Sequence, residues 1–543
     1  MSTVRVAAVQ FAVTEDVTAN LATCLRMTDA AAEQGAQIVV LPEFCNHVSW
    51  YDDRAHARRM AVTLDGEFVA SLAQRAAQHR IHLMANCTLA RSDGRTTGSN
   101  ILFGPDGAVL AVSDKQVLMG SERDHLDAAT ERSTIVVTDE ARLGLYSCMD
   151  GVINETPRML AVEGAQLLLN SLNSFALDEA SLHVPVRAVE NHVWVVAANK
   201  VGPLVPERSI AMVAERVGVP VELLHGAGES QIVAPDGTVV AIGPRSGESI
   251  VVADIDVALA DNKTRADGTD VFVARRPELY GPIAAAPVGR QRGPGAESVD
   301  VAVVCPEPGE DLHDVLATAI AGGPALVVLP ELAGLSAEDL IAALTATETV
   351  VVSSVIENGE HVGLAVDSTG VLLRQPQLHE SARLRDVVHR HGDGLAVLDL
   401  PWGRLAIIVG DDALYPETFR LAALQDADVV AVPFTIGSPH DFDPLLLERA
   451  AENRLNLAVG ARRTEHGAGG LIPLSSDFTL WSPTRERAFA GVISRPDPVP
   501  ATGSVTQGVL RPACAMNRLV TKGTDLVDGR PWALAAPLVA PQT

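Results

Sequence analysis

The chain has 543 residues, 47% hydrophobic and 20% charged, a globular composition long enough to bury more than one core. Its formal net charge of −26 argues against a nucleic-acid or anionic-membrane surface, since both require a basic patch. No apolar run approaches the roughly 20 residues of a membrane-spanning helix, and six scattered cysteines without zinc spacing fit a reduced, cytoplasmic protein.

In chain order, residues 4–10 read as a first strand and not as a signal peptide. A helix follows over about 20–34, then an apolar strand at 36–40 ends in Leu41-Pro42-Glu43. A strand-like run after Gly107 ends at Lys115. The run 143–147 leads into Cys148 and a helix over 155–163. Paired strands at 231–234 and 238–242 flank the turn Pro235-Asp236-Gly237. The second half repeats this order: a strand at 299–304, a helix over about 311–321, and a strand at 325–328 ending in Leu329-Pro330-Glu331. His389-Arg390-His391 reads as a solvated helix end.

The repeat is regular. Cys148, Asp150, Glu155 and Arg158 recur as Gly410, Asp412, Glu417 and Arg420, an offset of 262 (410 − 148). Arg187, Glu190 and Asn191 recur at the same offset as Arg449, Glu452 and Asn453. Gly268-Thr269-Asp270 recurs as Gly523-Thr524-Asp525 at 255 (523 − 268). The chain is therefore expected to hold a catalytic domain over 1–285, a Gly- and Pro-rich linker over 286–297, and a degenerate copy over 298–543. Alternating strands and helices imply an α/β fold with helices packed outside the sheets.

Chemistry concentrates in the first copy. A thiol at a strand-to-helix turn, as at Cys148, meets helix N-terminal N–H groups. It needs a base, and Glu43 at the end of a buried strand is the candidate. Lysine is rare here, at 115, 200, 263 and 522 only, so a lysine in a motif is informative. Lys115 would stabilise an oxyanion.

Leu41-Pro42-Glu43-Phe44, Lys115 and the run Cys148-Met149-Asp150 through Glu155 and Arg158 together resemble the nitrilase (carbon–nitrogen hydrolase) superfamily. Arg187 to Asn191, Pro235-Asp236-Gly237 and Arg275 to Tyr280 extend the resemblance through the first copy. The resemblance implies two fused four-layer α-β-β-α sandwiches. It implies Glu43 as general base, Cys148 as nucleophile, Lys115 as stabiliser of the tetrahedral intermediate, and the Met149 backbone N–H as the second oxyanion donor. Glu122 is the candidate for a second glutamate seen in many relatives. It further implies no metal and no organic cofactor, a small amide or carbamoyl substrate, and cleavage through a thioester with release of ammonia or an amine. Asp150 after the cysteine favours amides over nitriles, while Met149 and Ile153-Asn154 depart from the family's usual aromatic and aromatic-Pro residues. His47, Trp50, Tyr51, Asn173, Phe175 and His183 are expected near the pocket.

In the second copy Lys115 becomes Gln377, Glu122 becomes Leu384 and only Glu331 survives, with no lysine between Lys263 and Lys522 to substitute. The scaffold residues persist. An intramolecular pseudo-dimer is expected, open to further homo-oligomerisation. Nitrile hydrolysis, acyl transfer to an amine, and a non-catalytic binding or regulatory pseudoenzyme are the competing readings. A glutamine-fed synthetase lacks its P-loop.

Overall fold

The computed structural model describes residues 3–476, 478–479 and 488–541. In the first half, the strands Thr3–Gln10, Ile38–Val40 and His82–Ala90 run parallel at the centre of one sheet. Arg142–Ser147, Leu167–Ser171 and Trp194–Ala198 do the same in a second sheet. Antiparallel strands extend both sheets. The two-residue period of the first strand decides the layers. Val4, Val6 and Ala8 point between the sheets, where they meet Leu143, Leu145, Leu169 and Val196. Ala7 and Val9 point outward, onto Cys24, Met27 and Ala31 of the helix Val17–Glu33 and Leu72 of the helix Glu67–His79. The first helix begins earlier than its apolar pattern suggests, because the Asp16 side chain accepts from the N–H groups of Thr18 and Ala19. On the far side, Glu155–Val162 and Val184–Asn191 cover the second sheet. The result is the α-β-β-α sandwich.

The second half repeats it. Val299–Val304, Leu326–Val328 and Val350–Glu357 form one sheet centre, and Gly403–Ile407, Val429–Phe434 and Asn456–Ala461 the other. Residues 285–298 carry neither helix nor strand and are pinned along the second sandwich. Gln291 and Arg292 donate backbone N–H groups to Asp426 at 2.8 and 3.1 Å, and Arg290 pairs with Asp428. His389 and His391 do not lie on a helix: the His389 and Arg390 N–H groups donate to Gly359 O at 2.8 and 3.0 Å, in an extended bridge.

The sandwiches meet through their inner helices, with Leu182, Val186 and Val189 entering one core with Phe419, Ala423 and Leu447. The charged residues of the repeat pair reciprocally there. Arg158 Nε donates to Glu417 Oε1 at 2.9 Å and Arg420 Nε to Glu155 Oε1 at 2.8 Å. Arg187 donates to Glu452 at 2.7 Å, and Arg449 pairs with Glu190. Residue i of one copy thus meets residue j of the other and j meets i, the signature of a two-fold interface. The Gly-Thr-Asp repeats follow the same rule. Gly120 N donates to Thr524 Oγ1 at 3.0 Å, and its counterpart Ala382 N to Thr269 Oγ1 at 3.2 Å.

The copies differ at several connections. Residues 199–230 of the first carry the strands Val201–Pro203 and His225–Ala227 and the helix Glu207–Val217, where the second has only 462–469, and the second is the longer at the next connection. In the first, the antiparallel strands Gln231–Val233 and Val239–Ile242 are joined by the tight turn 234–238. Their counterparts Gly470–Ile472 and Val499–Pro500 are joined by the long excursion 473–498.

Candidate active site

Glu43, Lys115 and Cys148 all sit just beyond strand ends, where chain leaves the two sheets on the same side. Hydrogen bonds tie these exits together. Glu43 N donates to Leu172 O at 3.1 Å, Ser171 Oγ to Leu41 O at 2.8 Å, and Cys148 N to Ser171 O at 3.0 Å. The Asp150 carboxylate accepts from the N–H groups of Gln116 and Val117 at 3.1 and 2.8 Å, locking the Cys148 turn to the residues after Lys115. Burial nevertheless pushes the Asp150 carboxyl up to about 7.

Two residues at these exits hold left-handed backbone: Phe44 at φ 49° and Cys148 at φ 48°. Neither is glycine, so each carries strain that the surrounding bonds enforce. At Cys148 the bend closes the strand and starts the short helix Met149–Val152. Met149 therefore presents its N–H at a helix N-terminus, where no intrahelical acceptor exists.

Lys115 Nζ is fully buried, 2.9 Å from Glu43 Oε1 and 2.9 Å from Glu122 Oε2. Toward Glu122 the contact is a directed hydrogen bond; toward Glu43 it is an ion pair off the hydrogen-bond direction, which leaves both Glu43 oxygens without a donor among the described residues. Glu122 is thus drawn into the site from the short helix Glu122–His125, and also accepts from Met119 N at 2.8 Å. Burial would lower the Lys115 ammonium, but Glu122 and Glu43 outweigh it and hold it well above the usual lysine range. Burial raises the Glu43 carboxyl to about 7, against the pull of Lys115. Burial also pushes the Cys148 thiol up and Glu43 pushes it further, while Lys115 opposes. A carboxylate poised near neutrality beside a neutral thiol and a permanent cation is suited to proton transfer coupled to nucleophilic attack.

A second lysine joins the site. Lys200 is buried, its Nζ has no hydrogen-bond partner among the described residues, and it lies 5.9 Å from the Phe44 ring centroid, with Lys115 at 5.6 Å. Burial lowers it to about 8, and Glu43 and Cys148 oppose the shift. Glu179 is buried too and pushed up to about 7 by burial. Lys200 has no motif around it; its rarity as a lysine is the only sequence signal.

The expected pocket residues divide. Trp50 and Phe175 pack against Phe489 of the second copy. His47 and Tyr51 stack at 5.3 Å, with Tyr51 Oη 2.6 Å from Thr88 Oγ1. Asn173 Oδ1 is buried without a partner among the described residues. His183 is committed to the interface, with Nδ1 2.9 Å from Glu448 and Nε2 2.9 Å from Ser494 Oγ.

In the second copy Gly410 keeps the bend of Cys148, at φ 51°, now without strain. A Cβ there would meet Glu331 Oε1 at 2.6 Å, so the surviving glutamate fills the space that the Cys148 side chain takes in the first copy. No lysine stands at the position of Lys115, but the degenerate site has a cation: Arg383 Nη2 donates to both Glu331 oxygens at 3.1 Å and to Asp411 at 2.6 Å. Gln377 turns to His361 and the His379 carbonyl.

Residues 5–264 match the carbon-nitrogen hydrolase family model. The chain is 27% identical to a nitrilase of Pyrococcus abyssi, over 47% of this chain and 90% of that protein. It is 27% identical to the omega-amidase NIT2 of Bos taurus, over 52% and 98% respectively. It is 26% identical to the N-carbamoylputrescine amidase of Solanum lycopersicum, over 51% and 93%. These three relatives carry the names of three different substrates.

Proposed function

We propose, from the membership of its first half in the carbon–nitrogen hydrolase superfamily, that the protein is a cysteine amidase. Glu43 takes the Cys148 thiol proton as Sγ bonds to the amide or carbamoyl carbon. Lys115 and the Met149 N–H hold the oxyanion of the tetrahedral intermediate. Glu43 returns the proton to the nitrogen as the carbon–nitrogen bond breaks, and ammonia or an amine leaves. Water, deprotonated by Glu43, then attacks the thioester, and the acid departs as the Cys148 thiol is restored. Glu122 holds Lys115 charged throughout. The observation that carries the reading is the buried Lys115 ammonium held 2.9 Å from each of two carboxylates, beside Cys148 on a strained turn.

A screen for ammonia release over ω-amides, aliphatic amides, N-carbamoyl compounds and nitriles tests it, with Cys148→Ala as blank. Hydrolysis of an amide or carbamoyl compound by the parent alone is the expected result. Equal release by Cys148→Ala would refute the assignment.

We infer that the second sandwich acts as the partner subunit of the first, an intramolecular pseudo-dimer. The reciprocal Arg158–Glu417 and Arg420–Glu155 pairs support this, since a one-sided association would not repeat at matched positions. Expression of residues 1–285 alone should give an aggregated or inactive product; a soluble, fully active monomer would sink the idea.

A further inference from the structure

The excursion 473–498 is much longer than the tight turn 234–238 at the same place in the first copy, and its described residues land on the first copy's site loops. Asp178, fully buried, accepts from Ser494 N and Oγ at 2.7 and 2.7 Å, Arg495 N at 3.1 Å and Ile493 N at 3.2 Å. Gly491 O accepts from Leu177 N at 2.8 Å, and a Cβ at Gly491 would meet Leu177 Cδ1 at 2.9 Å, so the Leu177 side chain packs into the space that a side chain there would fill. From this anchor two aromatic side chains reach the site's flanks. Phe489 meets Phe175 edge-on, ring centroids 6.3 Å apart, in a cluster that includes Trp50. Phe478 is buried with Met149, Val152 and Ile153, the residues that follow the nucleophile.

The two-fold partner of this contact is bare by comparison. His440, the counterpart of Asp178, faces the tight turn, where Gly237 approaches its ring. A cavity of about 500 Å³, lined by Pro235, Asp236, Arg383 and Thr435 among others, is left open before the degenerate site. The long connection thus reaches the Cys148 copy, where the reverse contact is made by a tight turn.

We propose that Phe478 and Phe489 form the outer wall of the Cys148 substrate pocket, so that the degenerate copy sets the size and apolar character of the substrate's non-reacting end. The substrate class is then an amide with an aliphatic or aromatic acyl group, a refinement that rests on the amidase reading above. Phe478 and the partly buried Ile493 are the apolar side chains that the described part of the excursion packs against Met149, Val152 and Ile153.

Two measurements on the full chain separate this inference from the amidase reading. The first is the ratio of kcat/KM for hexanamide over butyramide in the parent, Phe489→Leu and Phe478→Ala, each checked for an unaltered circular dichroism spectrum. Shortening either ring should raise the ratio at least tenfold. The second needs no turnover: the rate of Cys148 alkylation by N-hexyl iodoacetamide relative to iodoacetamide, read by peptide mapping. That ratio should rise at least tenfold in the same variants. If the parent hydrolyses no amide, the amidase reading fails and the alkylation ratio still decides the wall. Ratios within twofold of the parent in both folded variants overturn the proposal.

Discussion

Arg158 of the first sandwich binds Glu417 of the second at 2.9 Å, both side chains almost wholly out of water, and Arg275 joins the same carboxylate at 3.1 Å. Burial alone would raise the Glu417 carboxyl, but these two guanidinium groups draw it down to about 2. The pair is thus an ionised contact inside the interface, and its worth shows when one member is removed. Glu417→Ala strands two buried cations and should cost about 3–5 kcal/mol of stability. The Glu417→Ala, Arg158→Met double variant should recover part of that loss. Urea denaturation of the parent and both variants checks it.

Catalysis should fall on the acid side with an apparent pKa near 7 in kcat/KM, because the base must be ionised and burial holds Glu43 at about 7. Lys200 favours the charged form of Glu43. Lys200→Met removes that help, so the acid limb should move to higher pH by roughly half a unit or more. A limb that stays in place would show that Lys200 does not act on the base.

The same shift carries a stability signature. Glu43 is raised from 4.5 to about 7 on folding, so between those values the folded chain binds a proton that the unfolded chain has lost. Stability from this group therefore falls as pH rises through the window and is restored below it. Glu43→Gln should be inactive yet more stable than the parent at pH 8, by on the order of 1 kcal/mol, with the gain fading toward pH 5. Thermal melts at the two pH values read the difference.

Gly410→Cys should destabilise the second sandwich without creating a reactive thiol. Its Cβ would press on Glu331 Oε1 at 2.6 Å, in left-handed backbone that costs a side chain about 1–3 kcal/mol. Iodoacetamide should label the introduced thiol no faster than an unfolded one, and ammonia release should not rise.

Glu43, Lys115 and Cys148 are legible in the sequence because each follows a strand, Glu43 and Cys148 sit in short motifs and lysine is rare, and the fixed offset of 262 exposes the second copy at once. The scaffold residues Glu155, Arg158, Arg187 and Glu190 are visible as repeats, but not their pairing, which crosses between copies and exists only in three dimensions. Arg383 escapes a comparison that looks for a lysine at the aligned position, because a longer guanidinium reaches Glu331 from elsewhere in the chain. Lys200 stands in no motif and is brought to Phe44 and Glu43 by sheet packing alone. The contact of 488–495 with the first copy joins positions some 300 residues apart, as in Asp178 to Ser494 at |i−j| 316, and no local pattern reports it.

In the proposed reaction Cys148 forms a thioester with the acyl part of an amide. Acid-quenching the protein during turnover of an amide found in the screen, followed by peptide mass mapping, tests it most directly. The expected result is an acyl adduct confined to the peptide containing Cys148, absent from Cys148→Ala and sensitive to hydroxylamine. Undiminished turnover in Cys148→Ala, or an adduct on another residue, would contradict it.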